Sequence, residues 1–166
     1  MKIKIKRNIY ICIISITSVA CNLNQQKPQI VNLGDEENYI VLADTLVSDV
    51  VILNPDNDEW TDYCLRKLDK KTLVNEIFKS VYEGKLAPYE FFNNNPLSIE
   101  DIKTLENDPE FSKSNIGKVQ FEEAWYFDAT NQKMVKKVHS IMLAYEIYDL
   151  NGEVKGYKPA FKVYLK

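Results

Sequence analysis

The chain has 166 residues, with 21 Lys and Arg against 24 Asp and Glu, one histidine and a formal net charge of −3. That length suits one domain with a real core. A single histidine, three cysteines without a ligand-spaced pair and five scattered glycines exclude a Cys/His metal centre and a glycine-rich phosphate loop. The first element in chain order is a leader. Lys2, Lys4, Lys6 and Arg7 precede an apolar run over residues 9–20, too short to span a bilayer but long enough for a signal-peptide core. No acid occurs before Asp35 while positive charge crowds the N-terminus, the asymmetry of a translocated segment. Residues 1–20 are therefore expected to be a signal peptide.

The run ends in Ser18-Val19-Ala20-Cys21. Small residues directly before a cysteine resemble the lipobox of bacterial lipoproteins, which implies that the Cys21 thiol carries a diacylglyceryl group and anchors the chain to a membrane. Ser18 departs from the leucine common at that position, so an ordinary signal-peptidase cut after Ala20 stays open. Residues 21–38 read as a lipid-anchored tether, since residues 22–29 are polar and Pro28 discourages regular structure. Loss of the leader removes four of the 21 cations and none of the 24 acids, leaving a net charge near −7. Nucleic acid is then an unsuitable partner, because phosphate binding needs a basic face. Cys12 leaves with the leader and Cys21 is taken by lipid, so Cys64 is left without a disulfide partner in the mature chain. It is expected to be a small buried apolar residue, with a reactive thiol or an intermolecular bridge as the alternatives.

A single domain is expected over residues 39–166. Residues 39–53 are rich in Val, Ile and Leu and interrupted by Asp44 and Ser48-Asp49, which predicts one or two strands before the turn at residues 54–58. Asp56, Asp58 and Glu59 lack the glycine and terminal glutamate of a calcium loop and read as a solvated turn. From residue 69 to 83, Leu73, Val74, Ile77, Phe78, Val81 and Tyr82 recur every three to four positions, which predicts a helix with Asp69 or Thr72 as its cap and Gly84 as its left-handed terminator. A second helix opens at Pro96-Leu97-Ser98, with Asp101 as a capping partner of Ser98, turns Ile99, Ile102 and Leu105 inward, and ends at Asn107-Asp108-Pro109. The period then changes to two. Val119, Phe121, Trp125 and Phe127 share one face of a strand with Glu123 as the exception. A turn over residues 128–132, a second strand over 134–148, a hairpin at Asp149-Leu150-Asn151-Gly152 and a third strand ending near Leu165 complete the chain. The predicted fold class is α+β, two helices packed on one face of an antiparallel β-meander of three or more strands.

The run Glu122-Glu123-Ala124-Trp125-Tyr126-Phe127-Asp128, a polar turn, then Met134-Val135-Lys136-Lys137-Val138 resembles the aromatic and acidic strand-turn-strand segment of the GldN/PorN family. The upstream Tyr82-Glu83-Gly84-Lys85-Leu86-Ala87-Pro88-Tyr89 resembles that family's helix and glycine-containing turn. The resemblance covers about residues 60–150 and carries no catalytic motif. It implies a structural subunit of gliding motility and type IX protein secretion, partnered by a lipoprotein of the GldK/PorK type at the periplasmic face of the outer membrane. This chain departs from the family in having its own lipid anchor signal and in stopping soon after the third strand, as a short paralogue outside the ring would. Residues 22–27 lack the acidic run that sends some lipoproteins to the cell surface, which implies the inner leaflet.

No catalytic residue and no cofactor are assigned. His139 stands beside Ser140 in an apolar strand, where adjacent side chains point to opposite faces, and the same alternation keeps Glu122 and Glu123 from flanking one bond. Asp44-Thr45-Leu46 matches a short O-glycosylation pattern, but Thr45 in a strand is better read as a buried edge residue. Most aromatics are expected in the core, which is the plainer reading for Tyr89, Phe92 and Tyr126 taken singly, and binding is expected to reside in those left exposed. The loop over residues 88–96 places Tyr89, Phe91 and Phe92 beside three asparagines, and with Tyr126 these form the candidate partner-binding set. Three classes of function remain: an interaction subunit binding through a sheet edge and this loop, a free-standing periplasmic lipoprotein that binds a small ligand or inhibits an enzyme in a pocket lined by Trp125 and Tyr145, and an enzyme of unrecognised type.

Overall fold

The computed structural model describes residues 30–33 and 36–166. The expected leader, Cys21 and residues 22–29 lie outside the described residues. Ten elements follow one another: β1 (Ile30–Leu33), β2 (Glu36–Val51), α1 (Glu59–Leu65), α2 (Lys70–Tyr82), β3 (Pro88–Tyr89), α3 (Ile99–Glu106), a 3₁₀ turn (Lys113–Asn115), β4 (Ile116–Asp128), β5 (Lys133–Tyr148) and β6 (Val154–Tyr164). All strands join one antiparallel sheet in the order β1-β2-β4-β5-β6-β3. The predicted meander is its β4-β5-β6 centre. The prediction did not contain β1, which falls within the stretch read as a tether and closes a hairpin on β2, nor the two-residue β3.

The helices form for local reasons. At the start of α2, Asp69 accepts from the Thr72 amide at 3.0 Å and from the Thr72 hydroxyl at 2.7 Å. The helix ends before Gly84, whose φ of +69° is the left-handed conformation a side chain would disfavour. In α3 the predicted capping box is present. Ser98 Oγ accepts from the Asp101 amide at 3.1 Å, and Asp101 accepts from the Ser98 amide at 2.7 Å. Val74, Ile77, Phe78 and Val81 of α2 and Ile102 of α3 join Phe111 against Ile116, Val119, Ile141, Leu143, Tyr145, Phe161 and Val163 of the sheet. Phe78 meets Phe161 edge-on with ring centroids 5.0 Å apart, and Phe111 meets Tyr145 likewise at 5.1 Å. Edge-to-face pairing of this kind adds stabilisation beyond the area buried.

The third helix, α1, corrects the two-helix expectation. It has no buried residue, so no apolar stripe could announce it. Its start is fixed by polar clasps. Asp58 accepts from the Thr61 amide at 2.9 Å, and Asn54 Nδ2 donates to the Asp58 carbonyl and to Asp62 Oδ1, each at 2.8 Å. The solvated turn expected at residues 54–58 is thus the cap of a short helix. Cys64 lies on this helix and is exposed, not buried as expected, because α1 packs none of its faces into the core.

The sheet changes character along its length. The helix-covered core takes no member from residues 123–137. At the boundary the pairing slips: β5 carries His139 as an extra residue between Glu122↔Ser140 and Glu123↔Val138, and β2 carries extra residues between Val41 and Leu46 relative to β4. These are β-bulges, which bend a strand and sharpen its twist. The interruption expected at Asp44 is one of them, inside a single continuous strand. Thr45 stands exposed in that bulge, not buried.

Candidate interaction surface

Among the described residues four polar or charged side chains are buried, and each has a structural place. Glu123, the exception in its strand's alternation, sits where the bulges meet. Its Oε1 accepts from Trp125 Nε1 at 2.9 Å and Ser48 Oγ at 3.3 Å, with Lys136 Nζ at 3.6 Å and lying over the Trp125 ring. A buried carboxylate survives there because three donors converge on it. Asp128 closes the β4-β5 turn by accepting from the amides of Thr130 and Asn131 at 2.9 and 3.1 Å and from the Asn131 side chain at 2.6 Å; the Asn131 side chain first, then its amide, holds the carboxyl below its ordinary pKa. Ser140 donates to Glu122 at 2.9 Å across the β4-β5 pair. Glu146 accepts from the Tyr148 hydroxyl at 2.5 Å, while its Oε1 is without a hydrogen-bond partner. The bond to Glu146, then burial, pushes the Tyr148 phenol up to about 12.

The loop over residues 88–96 is an ordered projection. β3 pairs Pro88 with Val163 and Tyr89 with Lys162 on β6. The loop then closes on itself: the Glu90 amide donates to the Asn95 carbonyl at 2.8 Å, the Asn94 amide to the Glu90 carbonyl at 3.1 Å and the Leu97 amide to the Pro88 carbonyl at 2.9 Å. The asparagines are its internal ties. Asn93 and Asn95 donate to the Glu90 carboxylate at 3.2 and 3.3 Å, and Asn94, at φ +56°, accepts from the Tyr164 hydroxyl at 2.7 Å. Tyr89 is half-buried edge-on against Tyr164 at 5.2 Å, so its ring serves the scaffold. Phe91 is half-buried against Phe92 at 5.0 Å, and Phe92 is 78 % exposed. Behind them Phe91, Phe92, Leu97, Leu105, Pro159 and Ala160 line an open cavity of about 340 Å³.

Tyr126 is elsewhere. It lies half-buried on β4 between Val41 and Val135, on the part of the sheet beyond the helices. The structure therefore brings Tyr89, Phe91 and Phe92 together and leaves Tyr126 apart from them. Nor do Trp125 and Tyr145 line one pocket. Tyr145 is fully buried opposite Ile116, and Trp125 is nine residues further along β4, roughly 30 Å at strand rise. Pro88 to Phe92 apart, sequence reasoning missed a second aromatic surface. On α1, Trp60 is 71 % exposed and stacks on Tyr63 at 5.7 Å with an interplanar angle of 18°, while the Arg66 guanidinium lies 3.6 Å from the Tyr63 ring centroid. The three-residue spacing of Trp60, Tyr63 and Arg66 was the available signal, but it reads as a helix face only once the Asp58 cap is recognised.

Among the described residues no three His, Cys, Asp or Glu side chains cluster as metal ligands, and no helix is long and apolar enough to cross a membrane. The chain is similar to a known family. Residues 36–166 match the family model described as "Gliding motility associated protein GldN". The match begins at the first residue of β2 and includes α1, α2 and α3. No curated protein matches the chain.

Proposed function

The chain belongs to the GldN family, and from that premise we propose that it is a non-catalytic interaction subunit of the gliding-motility and type IX secretion machinery. Association with gliding motility comes with the family. The finer reading adds an outer-membrane lipoprotein, held at the periplasmic face by lipid on Cys21 and binding protein partners, a GldK/PorK-type lipoprotein among them.

The observation that carries the binding role is Phe92. A large apolar ring 78 % exposed on a loop that its own hydrogen bonds hold in shape is preorganised to enter a pocket on a partner, and it costs little ordering entropy to do so. Phe91 and the cavity behind it extend the same apolar surface. Hot spots cluster in aromatic residues of this kind, surrounded by polar neighbours such as Glu90, Asn93 and Asn95.

The test is a pull-down of C-terminally tagged protein from gently solubilised native membranes, with wild type, Cys21→Ser and Phe92→Ala compared by mass spectrometry. Wild type is expected to retain secretion or motility proteins, Cys21→Ser to retain fewer, and Phe92→Ala to lose partners at unchanged melting temperature. A clean wild-type monomer sinks the reading and directs attention to small ligands in the cavity beside Phe91.

A further inference from the structure

The two edges of the sheet are treated differently. On the β6 side, β3 covers Lys162 and Val163, and the uncovered remainder carries Lys155, Lys158 and Pro159 together with a register shift opposite Leu143 and Ala144. Lysine, proline and bulges are the devices by which proteins prevent an edge from accepting another strand. On the β2 side, β1 covers only Glu36 to Ile40. Among the described residues no strand pairs with the outer edge of residues 41–51. The bulges lie within residues 41–46, and residues 46–51 then pair with β4 in unbroken register from Leu46↔Glu123 to Val51↔Lys118. That regular stretch contains no lysine and no proline. Its side chains are open on both faces, Val47 at 58 % and Val50 at 40 %.

We infer that residues 46–51 of β2 are a strand-addition site, where an extended segment of another protein in the assembly pairs as the next strand of the sheet. The inference deepens the reading of this chain as an interaction subunit and rests on it. The backbone sets the occupant's form, because alternating amides and carbonyls on an edge are matched only by an extended chain. The side chains set its composition. Residues 41–51 contain Asp44 and Asp49 and no basic residue. Asp49 already accepts from Lys118 at 3.1 Å and Gln120 at 2.8 Å, whereas Asp44 has no partner among the described residues. The occupant is therefore apolar at alternate positions, to cover Val47 and Val51 or Leu46 and Val50, and carries Lys or Arg near Asp44. A second copy of this chain fits poorly. Its β2 edge offers no Lys or Arg to meet Asp44, and the antiparallel register that would span residues 42–51 sets Asp44 opposite the other copy's Asp49, a like-charge pair that destabilises a sheet.

Hydrogen exchange of the full-length protein, alone and with the partners it retains from gently solubilised membranes, tests this. Amides of residues 46–51 that face outward exchange freely in the isolated protein and slow by about tenfold or more in the assembly. The double substitution Val47→Lys/Val50→Lys, at two exposed positions, reduces retained partner by about tenfold without moving the melting temperature. If partners are retained while these amides are unchanged and the double variant binds as well as wild type, strand addition is overturned and the interaction-subunit reading stands. If no partner is retained, both fall. Protection already present in the isolated monomer, or a dimer abolished by the double variant, overturns the inference in favour of the chain's own N-terminal residues or a second copy.

Discussion

Gly117 is placed where no side chain fits. A Cβ at this position would lie 2.6 Å from Glu146 Oε1, 2.8 Å from its Cγ and 2.9 Å from its Cδ, well inside ordinary contact distance. Gly117 cannot recede, because its carbonyl accepts from the Ile52 amide at 2.8 Å and so ties β4 to the end of β2. Glu146 cannot easily give way either, being buried and holding the Tyr148 hydroxyl. Gly117→Ala is therefore an overpacking substitution, expected to cost about 1–3 kcal/mol. In a domain of this size that corresponds to a fall in melting temperature of about 3–10 °C, read by circular dichroism. The clash is with one side chain, so its removal should restore the loss. Glu146→Ala deletes the Tyr148 bond together with a carboxyl whose other oxygen is unpartnered, and the double variant should be more stable than the sum of the single changes by at least about 1 kcal/mol. Gly117→Ala within about 0.5 kcal/mol of wild type, or strict additivity with Glu146→Ala, would refute the close-approach argument.

Two further predictions concern exposed groups. Cys64 reacts with a thiol reagent in the folded protein as fast as in the unfolded chain, and Cys64→Ser changes stability by no more than about 0.5 kcal/mol, because α1 contributes nothing to the core; slow labelling that requires unfolding would show the residue buried. Two phenols are pushed furthest up among the described residues. Burial and the hydrogen bond to Glu106 push Tyr82 up to about 12, as the bond to Glu146 and burial do for Tyr148. With folded values above the unfolded value near 10, both groups contribute stability that is complete below pH 10 and is lost as pH rises toward 12. Ultraviolet absorbance of the phenolates should show Tyr82→Phe and Tyr148→Phe each deleting one late-titrating group, and ordinary titration of both tyrosines in wild type would contradict the assignment.

The parts of this fold that were legible in the sequence are those set by interactions between near neighbours. The stripe from Val74 to Val81 and its cap at Asp69, the box between Ser98 and Asp101, the left-handed Gly84 and the Gly152 hairpin are all decided within a few residues, so their signals are local. The alternating apolar face of β4 was equally visible, as was the aromatic content of the loop at residues 88–96, whereas β5 is buried without a break over residues 140–146. Resemblance then supplied the family that the match over residues 36–166 bears out. The order β1-β2-β4-β5-β6-β3 was not visible, because which strands pair is settled by burial between residues far apart in the chain, such as Ile40 and Phe127 or Pro88 and Val163. Glu123 shows the same limit. In sequence it is a flaw in an apolar face, and only the meeting of Ser48, Trp125 and Lys136 around it makes it a satisfied buried acid. Cys64 went the other way, buried by composition and exposed in fact, since α1 is held by caps and not by packing. The sequence by itself determined α2, α3, the hairpins that join β4, β5 and β6, and the aromatic composition of the loop at residues 88–96. Tertiary structure alone decided which aromatics face outward and which sheet edge is left open, because both depend on what long-range pairing covers.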